Sequence, residues 1–259
     1  MLILCIKLLL VPSLLAAVTL AARRWGANVA GWLGGFPIVA GPVLLVVTLE
    51  QGTRFGALAA EAALAAVGPT MLFVVLYAHL SARRHWWGTL ILAYLGWGGA
   101  VALVALAPAG LGVAATVAVS GLALARVLVR MPSGPAPSQV SHPLELPARM
   151  LVGVLLTFAS SALAANFGPR LGGFTTVFPL VASVVASFSH ALHGRDAALR
   201  FLAGMSRGMW SVGAFCLALA LLLPRTGAGT AFAVALAATA AFHALLRPPD
   251  WRQHVTIIR

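Results

Sequence analysis

The chemistry open to a chain this apolar starts with its few ionisable groups. Glu50, in Thr48-Leu49-Glu50-Gln51-Gly52, and Glu61 are the carboxylates expected in or beside membrane-spanning segments. Either can exchange a proton or hold a cation. Placing such a group at a helix centre in lipid costs at least about 2.5 kcal/mol, which makes it a functional candidate, whereas a position near the water boundary leaves it merely solvated. His190 and His193, three residues apart, share a helix face, and His190 is a candidate pH sensor. Two histidines are too few donors for a metal site, so no metal and no cofactor are expected. Cys5 and Cys216 sit singly in apolar runs, as small buried hydrophobes do, and form no CxxC pair. The sequence has no GxSxG, HExxH or phosphate loop, and it is not read as an enzyme.

The second kind of chemistry belongs to the backbone. Ala27-Asn28-x4-Leu33-Gly34-Gly35-Phe36-x2-Val39 recurs as Ala165-Asn166-x4-Leu171-Gly172-Gly173-Phe174-x2-Val177, with Pro37 and Pro42 following the first block and Pro179 the second. Gly-Gly and Pro interrupt a helical ladder and free N–H and C=O groups. Lipid cannot satisfy these, so a broken helix persists only where protein or a water-lined cavity does so. Gly/Pro-interrupted segments at corresponding places in two halves point to the substrate site of inverted-repeat transporters. The same glycines also permit close helix packing, which is the competing role. The expected site residues are Asn28 and Asn166 as orienting hydrogen-bond groups, with Gly34, Gly35, Phe36, Pro37, Pro42, Gly172, Gly173, Phe174, Thr175, Thr176 and Pro179 around the breaks. Glu50 is the expected coupling carboxylate.

The elements that must hold these groups follow from composition. In 259 residues, 61% are hydrophobic and 8% charged, against about 25% charged in a soluble domain, which excludes a water-soluble globular fold. Nine apolar segments are long enough to cross about 30 Å of hydrocarbon as helices. They fall at 2–22, 27–49, 55–80, 86–107, 110–130, 149–167, 171–192, 199–223 and 228–246. The Pro/Ser-rich stretch 131–148 reads as a cytoplasmic linker between a first membrane repeat with one extra span (1–130) and a second repeat (149–246), followed by a basic tail (247–259). Residues 1–22 are expected to be retained, because Arg23-Arg24 follows the apolar run instead of preceding it as in a secretory signal.

The net charge of +12 does not imply nucleic acid. The basic residues sit singly or in pairs between apolar runs, as charges that set topology do. Placing the N-terminus outside and the C-terminus in the cytoplasm puts Arg23, Arg24, Arg83, Arg84, Arg126, Arg130, Arg149, Arg195, Arg200, Arg207, Arg247, Arg252 and Arg259 inside, and leaves Arg54, Arg170 and Arg225 outside. Arg207, near the inner end of its span, is expected to snorkel to the headgroups. Five spans precede the second repeat, and an odd number inverts it.

At Phe178-Pro179, His190, Gly194, Leu199-Arg200 and Gly208-Met209-Trp210 the second half resembles the GlpM-like family of small bacterial inner-membrane proteins, and the LGGFP and EQG segments of the first half resemble it more loosely. The resemblance implies a fused tandem of membrane repeats and brings no assigned activity. Gly172-Gly173-Phe174-Thr175-Thr176 is also similar to the start of a segment of dual-topology fluoride channels. The expected protein is therefore an all-α, multi-pass protein of the bacterial inner membrane, with about nine helices in two inverted repeats. Its partners are the lipid bilayer, an unknown small solute or ion and, for a homo-oligomer, a second copy. It is read as a transporter; the alternatives are an ion channel and a non-transporting protein that binds partners.

Overall fold

The computed structural model describes residues 2–134, 143–166 and 177–248; side chains are described from Cys5 onward in these segments, except those of Lys7 and of 160–166. The described residues are helical and contain no strand. In chain order the helices are α1 (Leu2–Trp25), α2 (Ala27–Gly34), α3 (Ala40–Gln51), α4 (Thr53–Leu80), α5 (Trp86–Leu106), α6 (Leu111–Leu128), α7 (Glu145–Asn166), α8 (Leu180–His193), α9 (Arg195–Thr226) and α10 (Ala228–Leu245). Six of them, α1, α4, α5, α6, α9 and α10, are long and apolar enough to cross a membrane. Outward-facing residues such as Ile91, Leu95 and Leu103 on α5 and Val119, Leu124 and Val127 on α6 are exposed. Water does not tolerate apolar faces of this extent, but hydrocarbon does, so the structure is that of a helical membrane protein.

Glycines end or open several elements. Gly52 and Gly194, with φ of 88° and 83°, turn the chain between α3 and α4 and between α8 and α9, a left-handed conformation open to glycine without strain. The order short helix, glycine, long helix, further helix occurs twice. Thr53 to Arg195 and Trp86 to Ala228 are each 142 residues apart, so α9 and α10 start where α4 and α5 do in the first half. The backbone repeats at the same interval. Ile38 N–H bonds to Phe36 O (2.8 Å) and Gly41 N–H to Pro37 O (2.9 Å), while Leu180 N–H bonds to Phe178 O (2.7 Å) and Ser183 N–H to Pro179 O (2.8 Å). The described elements thus follow Phe36-Pro37 and Phe178-Pro179, and not the interval of 138 residues that separates the two LGGF blocks.

The long helices α4 and α9 run antiparallel through the middle of the bundle. In α4, 72% of the apolar window is buried, against 11% in α5, which fixes their central and peripheral positions. α6 packs on both α4 and α9. Small residues set how closely the axes approach, since without a hydrophobic force between helices in lipid, association rests on van der Waals contact. Gly31 and Gly35 of α2 and its C-terminal end meet Gly204 and Gly208 of α9, two glycine pairs each spaced by four residues. A Cβ on Gly35 would fall 2.5 Å from the Gly208 Cα. Gly68 of α4 meets Gly121 of α6 in the same manner, with 2.7 Å between a Cβ on Gly121 and the Gly68 Cα.

The charged ends gather on one side. Glu145, the first residue of α7, is buried, and its Oε1 lies 2.6 Å from Arg149 Nη2 and 3.3 Å from His193 Nε2, with Oε2 3.3 Å from Arg23 Nη2. Arg149 donates further to Thr19 Oγ1 (3.1 Å) and Ser189 Oγ (3.3 Å). The C-terminal end of α1, the N-terminal end of α7 and the C-terminal end of α8 are thereby joined at one point. The linker expected to run to residue 148 ends instead before Glu145, and the acidic residue assigned to it is a structural counter-ion. Arg200 ties the exit of α6 to the same end by donating to the carbonyls of Pro132 (3.3 Å) and Gly134 (2.7 Å).

Two stability differences follow. Gly35→Ala forces apart two backbones and is expected to cost about 1–3 kcal/mol. Gly34→Ala meets only side chains at van der Waals distance, 3.6 Å from Val18 and 3.7 Å from Val181, and is expected to change stability by less than about 0.5 kcal/mol. Glu145→Gln leaves buried Arg149 without its counter-charge, at an expected cost of about 3–5 kcal/mol. Thermal unfolding of the detergent-solubilised full chain checks all three.

Candidate functional site

A helix can be interrupted inside a bundle only if its freed backbone groups find partners. Between α2 and α3 the chain does this locally: Gly35 N–H bonds back to Gly31 O (3.1 Å) and Phe36 N–H to Leu33 O (3.1 Å), while Pro37 has no N–H to satisfy. At the entry to α8 the partner comes from another helix. Thr70 of α4, buried beside Pro69, donates its hydroxyl to the Val177 carbonyl at 2.7 Å. Pro69 cannot donate to the preceding turn of α4, so the ladder is weakened where α4 faces the second break.

The two interrupted segments border one small cavity of about 70 Å³. Gly34, Phe36, Pro37, Val39 and Ala40 line it from the first half, and Val177, Phe178 and Val181 from the second. Leu14 of α1, Thr70 of α4 and Met205, Met209 and Val212 of α9 complete its wall. The lining is apolar apart from the Thr70 hydroxyl and the backbone at the breaks. Two methionine side chains, flexible and polarisable, let such a wall adapt its shape.

Each break carries a phenylalanine seated on a helix of the other half. Phe178 stacks on Tyr94 (5.6 Å between ring centroids) and meets Trp97 edge-on (5.0 Å), both on α5. Phe36 meets His243 of α10 edge-on at 5.1 Å, and His243 also stacks on Trp32 at 4.3 Å. His243 Nδ1 lies 2.8 Å from Ser211 Oγ of α9. From Phe178 toward the arginine-rich end runs a line of polar groups on α4, α5 and α8. Tyr94 donates to Ser183 Oγ (2.7 Å), Ser187 donates to Ser183 O (2.6 Å), and Tyr77 Oη lies 3.4 Å from His190 Nδ1. No cluster of His, Cys, Asp or Glu among the described residues can hold a metal ion.

The expected site residues divide on this geometry. Gly34, Phe36 and Pro37 line the cavity, and Pro179 is buried at the N-terminal boundary of α8 beside it. Gly35, expected to face a ligand, is instead pressed against the Gly208 backbone. Asn28 is buried in the first turn of α2, its carbonyl against Gly204, and Pro42 sits within the first turn of α3; neither lines the cavity. Gly172, Gly173, Phe174, Thr175, Thr176 and the Asn166 side chain lie outside the described residues. Glu50 is exposed on the last turn of α3, at the end away from the arginine cluster, and does not line the cavity. Glu61 is half-buried and borders a separate apolar pocket of about 280 Å³ with Phe55, Leu58, Val104 and Pro108. His190 stands at the end of the hydroxyl line.

Sequence reasoning missed Thr70, Tyr94, Trp97 and Ser211, and it placed His243 at an interface where the structure buries it against Trp32. The available signal was weak: Pro69-Thr70 marks a proline in mid-span followed by a hydroxyl, and His243 is a lone polar group in an alanine-rich helix. No protein-family model, curated protein or solved structure matches the chain.

Thr70→Val removes the hydroxyl and strands the Val177 carbonyl, at an expected cost of about 1–3 kcal/mol, whereas Thr70→Ser keeps the donor and most of the stability. Thermal unfolding of the two variants side by side reads the difference.

Proposed function

We propose that the chain is a transporter of a small solute in the bacterial inner membrane, with its site in the cavity between the two breaks. One observation carries this reading: two interrupted segments, one from each half, border a single cavity, and each sends a phenylalanine onto a helix of the opposite half. That arrangement fits inverted repeats meeting at a substrate site, where rocking of one unit against the other exposes the site to alternate sides. In this reading α2 and α3 make one interrupted span, the segment ending in α8 makes the second, and the whole chain makes nine. The recurrence of helix starts after 142 residues and the antiparallel pairing of α4 with α9 support the inverted relation. The N-terminus lies outside and the C-terminus in the cytoplasm, which puts the arginine-rich end on the side where basic residues are retained.

The cavity suits a small solute with a large apolar part and at most one or two polar groups, because Thr70 and the break backbone are the polar surface it offers. The hydroxyl line from Ser183 to His190 is the polar route toward the cytoplasm. A coupling role for Glu50 has no geometric support at the cavity, and His190 and Glu61 are the titratable groups nearest to candidate paths. The GlpM-like resemblance bears on the architecture of this proposal and not on the solute.

A test that needs no substrate uses single cysteines. In a background with Cys5→Ser and Cys216→Ala, Val39→Cys and Val181→Cys place a thiol on the cavity wall. Membrane-impermeant thiol reagents are then applied from either face of sealed vesicles. Alternating access is expected to give labelling from both faces, with reaction at one face slowed by conditions that favour the other. A thiol unreactive from both faces in a folded protein overturns the reading, and equal, simultaneous reaction from both identifies a channel.

A further inference from the structure

Away from the central cavity, a second pocket of about 310 Å³ opens between the C-terminal end of α6 and the middle of α9. Arg126, Arg130 and Arg207 line it with Ser206, Ala203, Val129 and Met131, and no carboxylate does. The ion pairs to arginine among the described residues all go to Glu145, which belongs to the α1–α7–α8 cluster. The pocket is a built feature. Arg200 donates to Pro132 O and Gly134 O and so holds the segment leaving α6 across α9, which brings Arg130 to the same cavity as Arg207. The Ser206 hydroxyl is spent on Ala203 O (2.9 Å), so the guanidinium groups are the donors the pocket offers.

We infer that this pocket binds a phosphate group. Three guanidinium groups around one cavity repel one another unless an anion joins them, and their planar N–H forks match phosphate oxygens two at a time. The position names the nearest source. Arg126 lies in the last turn of α6 and Arg130 just beyond it, both exposed, at the end of the bundle where the arginines gather. A basic pocket between membrane helices at that depth meets the phosphates of anionic phospholipids. A soluble phosphate has the same chemistry and reaches the pocket from water. The inference stands on the pocket and the membrane setting, and it holds whether or not the central cavity transports.

The experiment uses the full chain purified in detergent, with phosphatidylglycerol, phosphatidylcholine and inorganic phosphate as separate probes, read by native mass spectrometry and by thermal shift. Wild type is expected to retain phosphatidylglycerol, to bind phosphatidylcholine more weakly, and to show a raised Tm with the anionic lipid. Arg126→Gln and Arg130→Gln are exposed changes expected to preserve the fold, and each is expected to weaken phosphatidylglycerol about fivefold, the effect of about 1 kcal/mol per arginine. Arg84→Gln, an exposed arginine outside the pocket, is expected to leave binding unchanged. Arginine-dependent binding of inorganic phosphate at matching affinity assigns the site to a soluble phosphate, with the chemistry intact. Binding of both probes that is unaltered in the Arg126→Gln/Arg130→Gln double variant, or reduced equally by Arg84→Gln, overturns the inference.

Discussion

A helix that stops inside hydrocarbon leaves N–H and C=O groups that lipid cannot bond, and the rest of this structure depends on how those groups are satisfied. At Phe36-Pro37 the chain closes tight turns on itself, and proline removes one donor outright. At Phe178-Pro179 the same turns recur, and the adjacent Val177 carbonyl takes a hydroxyl from Thr70, on a different helix. The second solution ties the break to α4, so the weakened ladder at Pro69 and the break itself sit at one place. Because two interruptions meet there, the centre of the bundle is short of helix and holds a cavity instead of another layer of side chains.

Close packing elsewhere compensates for that gap. The α2–α9 contact runs glycine against glycine, and α4 approaches α6 through Gly68 and Gly121. Such approaches bring backbone against backbone and gain dispersion contact without large side chains. They also change how the glycines near the first break are understood. Gly34 borders the cavity while its neighbour Gly35 is a packing residue, so two adjacent residues of one motif do different work.

The charged groups follow an economy forced by their number. Glu145 is the acid to which the described arginine ion pairs go, and it collects Arg23, Arg149 and His193 at a point where three helices end. The α6–α9 pocket gathers three more arginines with no acid to meet them. An arginine excess that sets orientation in the sequence thus becomes, in space, one neutralised junction and one anion-seeking pocket.

The sequence by itself determined the helical class, the approximate helix positions and the existence of an interruption after Leu33, because each is written in local composition: apolar runs of span length, and Gly or Pro where the ladder stops. It also placed the arginines at helix ends. Only the tertiary structure decided which groups face each other. Thr70 and Val177 are 107 residues apart, Ser211 and His243 are 32 apart, and Arg23 and Glu145 are 122 apart, and no local pattern encodes such pairings. The interval that relates the two halves was hidden for a related reason. Matching letters in LGGF suggested one register, while hydrogen bonding at Phe-Pro and the glycine turns follows another, because backbone geometry is fixed by where the chain must turn and not by which residue types recur.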